Sequence, residues 1–167
     1  MTMTSNSGDD QTTGAIRETG TTGETPGTPC GPSESVPNRR TCIAIAGIAG
    51  ALAIAIGAFG AHGLEGYLPQ TGIDAQTVGR RLQQFDTGAR YHLAHAIVLL
   101  ILAVAPIQQN KFSRIVFGFF IAGLFLFSGS LYLLVLTNTP VLGAITPIGG
   151  VAWILGWCSI AFLKQRN

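Results

Sequence analysis

Two histidines three residues apart in an apolar stretch, His92 and His95, are the first residues here whose type and spacing suggest chemistry. Positions i and i+3 share a helical face, and imidazoles at that spacing can converge on a metal ion. The same rings could instead exchange protons, or each could bond a neighbouring helix. A metal site needs further ligands, yet no acid follows Asp86 and no Glu-x-x-His pattern lies on another segment. Ser128 with either histidine supplies the residue types of a nucleophile and its base. No nucleophile elbow, phosphate-binding glycine loop or pair of carboxylates accompanies them. Asp86 and Arg90 are four apart and can pair on one helical face. The cysteines (Cys30, Cys42 and Cys158) fit neither a zinc site nor a disulfide framework. The expectation is a protein that is not an enzyme and carries neither metal nor cofactor.

The elements that must position these residues are membrane helices. The chain is 47% hydrophobic and 11% charged, against about 25% charged in soluble domains. All eight acids lie at or before Asp86, and from Tyr91 onward only Lys111, Arg114, Lys164 and Arg166 carry fixed charge. That half cannot present a wetted surface. The net charge of +2 and the lack of a basic patch with interleaved aromatics exclude a nucleic-acid partner. Residues 1–38 are mostly Thr, Gly, Ser, Pro, Glu and Asp, too polar to offset chain entropy by burial, and are expected to be disordered. Spans are expected at about 41–61, 87–105, 115–136 and 142–163, each near the roughly 20 residues that cross the hydrocarbon core. Residues 62–86 read as a loop or short interfacial helix, helical from about Asp74. The predicted fold class is an all-α membrane protein, a four-transmembrane-helix up-down-up-down bundle.

Lipid tails are as apolar as leucine, so the helices need close packing or polar contacts to associate. Ala53, Gly57 and Ala61, then Gly118 and Ala122, then Ala152 and Gly156 repeat small residues at a spacing of four. Placing the N-terminus inside puts Arg39, Arg40, Lys111, Arg114, Lys164 and Arg166 on the inner flanks, and only Arg80, Arg81 and Arg90 outside. This distribution predicts a cell inner membrane protein with both termini cytoplasmic. In that frame the polar residues collect in one layer near the outer interface: His62, Asp86, Arg90, Tyr91, His92, His95, Ser128, Ser130, Tyr132 and Thr146. Ionisable groups within a span usually mark a functional site or a buried network. One reading is a site that binds or passes a small polar or anionic solute, in a protein that acts as an oligomer; the other is a network that only locks the helices, in a structural or assembly factor.

Several strings resemble a family of small membrane proteins known as a domain of unknown function, the 423 group. They are Gly57 to Leu64 (GAFGAHGL), Thr87 to Ala96 (TGARYHLAHA), Phe127 to Tyr132 (FSGSLY), and Thr146 to Gly150 (TPIGG) followed by Gly156-Trp157. The resemblance covers about residues 41–165. It implies four helices in a bacterial or organellar membrane, with relatives that include a bacterial inner-membrane protein and an animal transmembrane protein, and no established activity. Its motifs fall on His62, Tyr91, His95, Ser128, Ser130, Tyr132 and Thr146. His92 stands where the family pattern would have a glutamine-like polar residue, and the polar tail is not a family feature.

Overall fold

The computed structural model describes residues 38–166; the tail predicted over 1–38 lies outside them except for Asn38. Asn38 opens the first helix, α1 (Arg39–His62), its Oδ1 accepting from the Thr41 amide at 3.0 Å. A short helix α2 (Leu64–Tyr67) and a 3₁₀ turn (Leu68–Thr71) reverse the chain at Gly72, whose φ of 77° is a left-handed conformation suited to glycine.

The next element departs from the expectation. A single helix, α3 (Ala75–Val104), runs for 30 residues in place of an interfacial helix followed by a span that begins at Thr87. The segment contains no proline before Pro106, and nothing else in it forces a break. Asp74 caps its start by accepting from the Thr77 amide at 2.9 Å. Pro106 ends it by holding Ala105 in extended backbone, with ψ 150°. Arg39 closes the far end: its Nε donates to the Ala103 carbonyl at 3.1 Å, and its Nη2 donates to the Val104 carbonyl. A guanidinium there also meets the negative end of the helix dipole.

The third span is α4 (Lys111–Gly123), a π-helical segment (Leu124–Gly129) and α5 (Ser130–Thr137), joined without a break. An Asn110–Ser113 capping box starts it, and Asn138, at φ 49°, stops it. A 3₁₀ turn (Pro140–Ala144) leads into α6 (Thr146–Ile160). The chain then returns to the α3–α4 loop. The Gln108 amide donates to the Lys164 carbonyl at 2.9 Å, and the Arg166 amide to the Pro106 carbonyl at 2.8 Å. Asn38, the α3–α4 loop and Lys164–Arg166 thus share one end, here the terminal face. The α1–α3 connection and the Asn138–Ala144 turn form the loop face.

All four spans are long and apolar enough to cross a membrane. α1 packs along α3, α3 packs on the π segment and α5, and α4 with the π segment packs on α6. Two apolar clusters hold them. Ala46, Ala49, Leu99, Phe120, Leu124 and Trp153 belong to the larger one; Leu64, Leu68, Phe85, Leu134 and Val135 form the other near the loop face. Large apolar residues such as Ile54, Phe125 and Ile154 remain exposed, as a lipid-facing surface requires.

Small residues do line the contacts, though not all of those expected. On α1 the buried stripe is Cys42, Ala46, Ala49 and Ala53, while Ala61 is exposed and Gly57 has open space beside it. Gly118 is likewise exposed, and the buried small residue of α4 is Gly123. Gly156 is a true contact, a notional Cβ there lying 3.1 Å from the Phe120 ring. Two turns earlier the α6 backbone at Gly149 approaches the Leu126–Phe127 backbone so closely that any side chain would collide with it.

Candidate functional site

His95 is the centre of the layer. It is buried on α3, and its Nδ1 lies 2.8 Å from the Tyr91 carbonyl, one turn back. A carbonyl only accepts, so Nδ1 carries the proton. Nε2 is then an acceptor, and the Trp157 indole N–H donates to it at 3.4 Å. The ring is therefore a neutral imidazole with both nitrogens engaged. Its face lies on Trp153, with centroids 3.6 Å apart and planes 4° apart. Tyr91 stacks on both rings at centroid distances of 6.0 and 5.8 Å. Trp153 is itself fixed by an N–H bond to the Phe120 carbonyl at 3.2 Å. Aromatic contacts of this kind contribute about 0.5–1.5 kcal/mol each beyond their buried area.

His92, one turn away, faces other neighbours. Its Nδ1 meets the Tyr132 hydroxyl at 3.2 Å, joining α3 to α5. Its Nε2 is buried without a hydrogen-bond partner. The two histidines do not converge, and among the described residues no three His, Cys, Asp or Glu side chains gather in a form that could hold a metal.

The two serines of the π segment and α5 also differ. Ser130 Oγ lies 2.9 Å from the Phe127 carbonyl and 2.9 Å from Thr146 Oγ1. With Ser130 donating to the carbonyl, Thr146 donates to Ser130, and α5 is tied to α6. Ser128 is fully buried and its hydroxyl has no partner. A π segment leaves the α-helical bonding ladder, and such segments are frequent at functional sites.

Two expected members stand apart from this interior. His62 is exposed at the end of α1. Arg90 is exposed and pairs at 2.9 Å with Asp86, which is exposed as well, an arrangement that contributes about 0.3–0.5 kcal/mol. Of the eight candidate residues, the fold gathers Tyr91 with His95 and Ser130 with Thr146, and it brings Tyr132 to His92. Trp153 and Trp157 join the site without being among the residues expected from the sequence. Their signal was available, since the chain's two tryptophans lie four apart on one helix.

A side groove of about 500 Å³ lies beside this layer. Ile48 and Leu52 of α1 form one wall, Leu124 and Phe125 of the π segment the other, and His92 and Tyr132 also line it.

Four apolar crossing helices holding a layer of polar side chains define a small integral membrane protein. The family follows from comparison with known chains. The family model described as "Protein of unknown function (DUF423)" matches residues 56–150, and this chain belongs to that family. It is 42% identical over 111 residues to the UPF0382 membrane protein YwdK of Bacillus subtilis, covering 65% of this chain and 83% of the relative. It is 36% identical over 120 residues to a UPF0382 membrane protein of Haemophilus influenzae, covering 72% and 90%. It is 41% identical over 110 residues to the UPF0382 membrane protein SAB0533 of Staphylococcus aureus, covering 64% and 80%. No solved structure matches the chain.

Proposed function

We propose that the protein is a non-catalytic structural or assembly component of the cell membrane, with its polar layer acting as a lock between helices. The observation that supports this most is the use made of His95: both ring nitrogens and one ring face are occupied by groups of the protein itself. The Ser130–Thr146 and His92–Tyr132 pairs likewise connect different spans. With Arg39, Lys111, Lys164 and Arg166 on the terminal face, the proposed orientation has both termini in the cytoplasm. The test is His95→Ala, followed by thermal unfolding in detergent and abundance in membranes. The lock predicts that both fall together. A variant with wild-type stability and an altered cellular phenotype would overturn it.

A second reading is favoured by the unpartnered His92 Nε2 and Ser128 Oγ. Here the layer binds a small polar or anionic solute, in a protein that acts as an oligomer. Native mass spectrometry of gently extracted protein, with metal analysis of the same sample, separates the two. A small molecule lost on His92→Ala supports the solute, and an empty wild-type protein rejects it.

A further inference from the structure

Arg81 is the most buried charge among the described residues, at 7% exposure. It lies on α3 near the loop face, and its partners are neutral. Nε and Nη2 donate to Asn138 Oδ1 at 3.1 and 2.7 Å, and Nη1 donates to Gln84 Oε1 at 3.0 Å. A guanidinium has five N–H donors, so Nη1 and Nη2 each keep one. Among the described residues the single ion pair is Arg90–Asp86, so Arg81 meets no carboxylate there. Burying a charge without a counter-charge is unfavourable. An anion that arrives from outside removes that penalty.

The surroundings have room for one. A pocket of about 660 Å³ is lined by Asp74, Thr77, Arg80, Arg81, Gln84 and Asn138, among others. Arg80 adds a second, exposed guanidinium. Asp74 is the one acid in the lining, and both its oxygens are engaged by Thr77, at 2.9 Å from the amide and 2.7 Å from the hydroxyl. The lining therefore keeps one net positive charge, with Arg81 donors unfilled. Paired guanidinium donors match the oxygens of a phosphate group.

Depth agrees with this chemistry. The 30 residues of α3 rise about 45 Å, against a hydrocarbon core of about 30 Å. Arg39 holds the other end of the helix at Val104. Counted back from there, the residues that cross the core end near the exposed Asp86–Arg90 pair, and Arg81 stands beyond that pair, at the level of lipid headgroups.

We propose that the Arg81 pocket binds a phosphate group, either the phosphodiester of a lipid headgroup or free phosphate. This site is separate from the His95 layer and does not depend on its role. Native mass spectrometry on full-length protein, titrated separately with phosphatidylglycerol, phosphatidylcholine, diacylglycerol and inorganic phosphate, reads it directly. Phosphate-bearing probes should bind and diacylglycerol should not. Binding by both phospholipids, undiminished by millimolar inorganic phosphate, identifies the headgroup; binding by inorganic phosphate that displaces lipid identifies the soluble anion. Asn138→Asp keeps the acceptor for Arg81 and adds a counter-charge at a left-handed position that Asp tolerates, so it should fold and bind at least tenfold more weakly. Arg80→Gln, at an exposed position, should also weaken binding without loss of fold. Wild-type protein that binds no phosphate-bearing probe, diacylglycerol retained as well as the phospholipids, or two variants with unchanged affinity would overturn the proposal.

Discussion

The Trp153 indole occupies the space that Gly123 leaves by having no side chain. A notional Cβ at Gly123 would fall within 2.8 Å of the indole Cγ and closer still to Cδ1. The neighbouring Phe120 carbonyl holds the indole N–H, so the ring cannot slide away without losing that bond. Gly123 thereby sets the plane on which His95 stacks.

Gly123→Ala should therefore lower stability by about 1–3 kcal/mol, the usual cost of overpacking. Gly118→Ala, with open space beside it, is the control and should change the unfolding midpoint little. Thermal unfolding of both in the same detergent checks the contrast.

The bonds of His95 fix its tautomer. Nitrogen-15 NMR of labelled protein should show Nδ1 protonated and Nε2 as an acceptor. Trp157→Phe should alter the Nε2 signal and leave Nδ1 in place, because the Tyr91 carbonyl is unchanged. A ring protonated on Nε2 would contradict the arrangement.

Ser130 and Thr146 share one interhelical bond, so their effects should not add. Ser130→Ala and Thr146→Val should each cost about 0.6 kcal/mol, the mean for such bonds within membranes. The double variant should cost little more than either alone. Additive losses in equilibrium unfolding would mean the two hydroxyls act separately.

Asp74 titrates outside the spans. Hydrogen bonds from the Thr77 side chain and amide favour its ionised form and hold its carboxyl below the usual carboxylate range. A group depressed on folding stabilises the folded state above its unfolded pKa, and that contribution is lost as pH falls through the folded value. The first turn of α3 should accordingly lose amide-exchange protection, measured relative to the intrinsic rate at each pH, as the solution is made acid. Asp74→Asn, which still caps but cannot ionise, should remove that pH dependence.

Much of the fold was legible because charge and hydropathy mark membrane helices directly. The absence of acids after Asp86 and the Lys111, Arg114 and Lys164 flanks delimit spans three and four before any geometry is known. The length of α3 was harder to read. The charges Arg80, Arg81 and Asp86 suggest a short interfacial helix separate from the span, and only Pro106 bounds the continuous helix from the far side. The polar layer was visible as a depth, because residues on different spans at equal height must be near one another. Its pairings were not, since stacking of His95 on Trp153 depends on how α3 and α6 rotate about their axes. The partner of Arg81 is hidden in the sequence for the same reason: its acceptor Asn138 lies 57 residues further on.

The π segment has a consequence for insertions and deletions. Over Leu124–Gly129 the span carries a surplus of backbone relative to a regular α-helix. Removing one residue there would let the ladder close as an ordinary helix, whereas the same deletion elsewhere in the span would disturb regular pairing. The wide turn absorbs its surplus residue in place, so after a deletion within it Ser130 would stay on Thr146 and Tyr132 on His92, whereas one residue removed from regular α-helix turns every residue beyond it by about 100°. The π segment is thus a stretch where this span can shorten by one residue and keep its polar layer in phase.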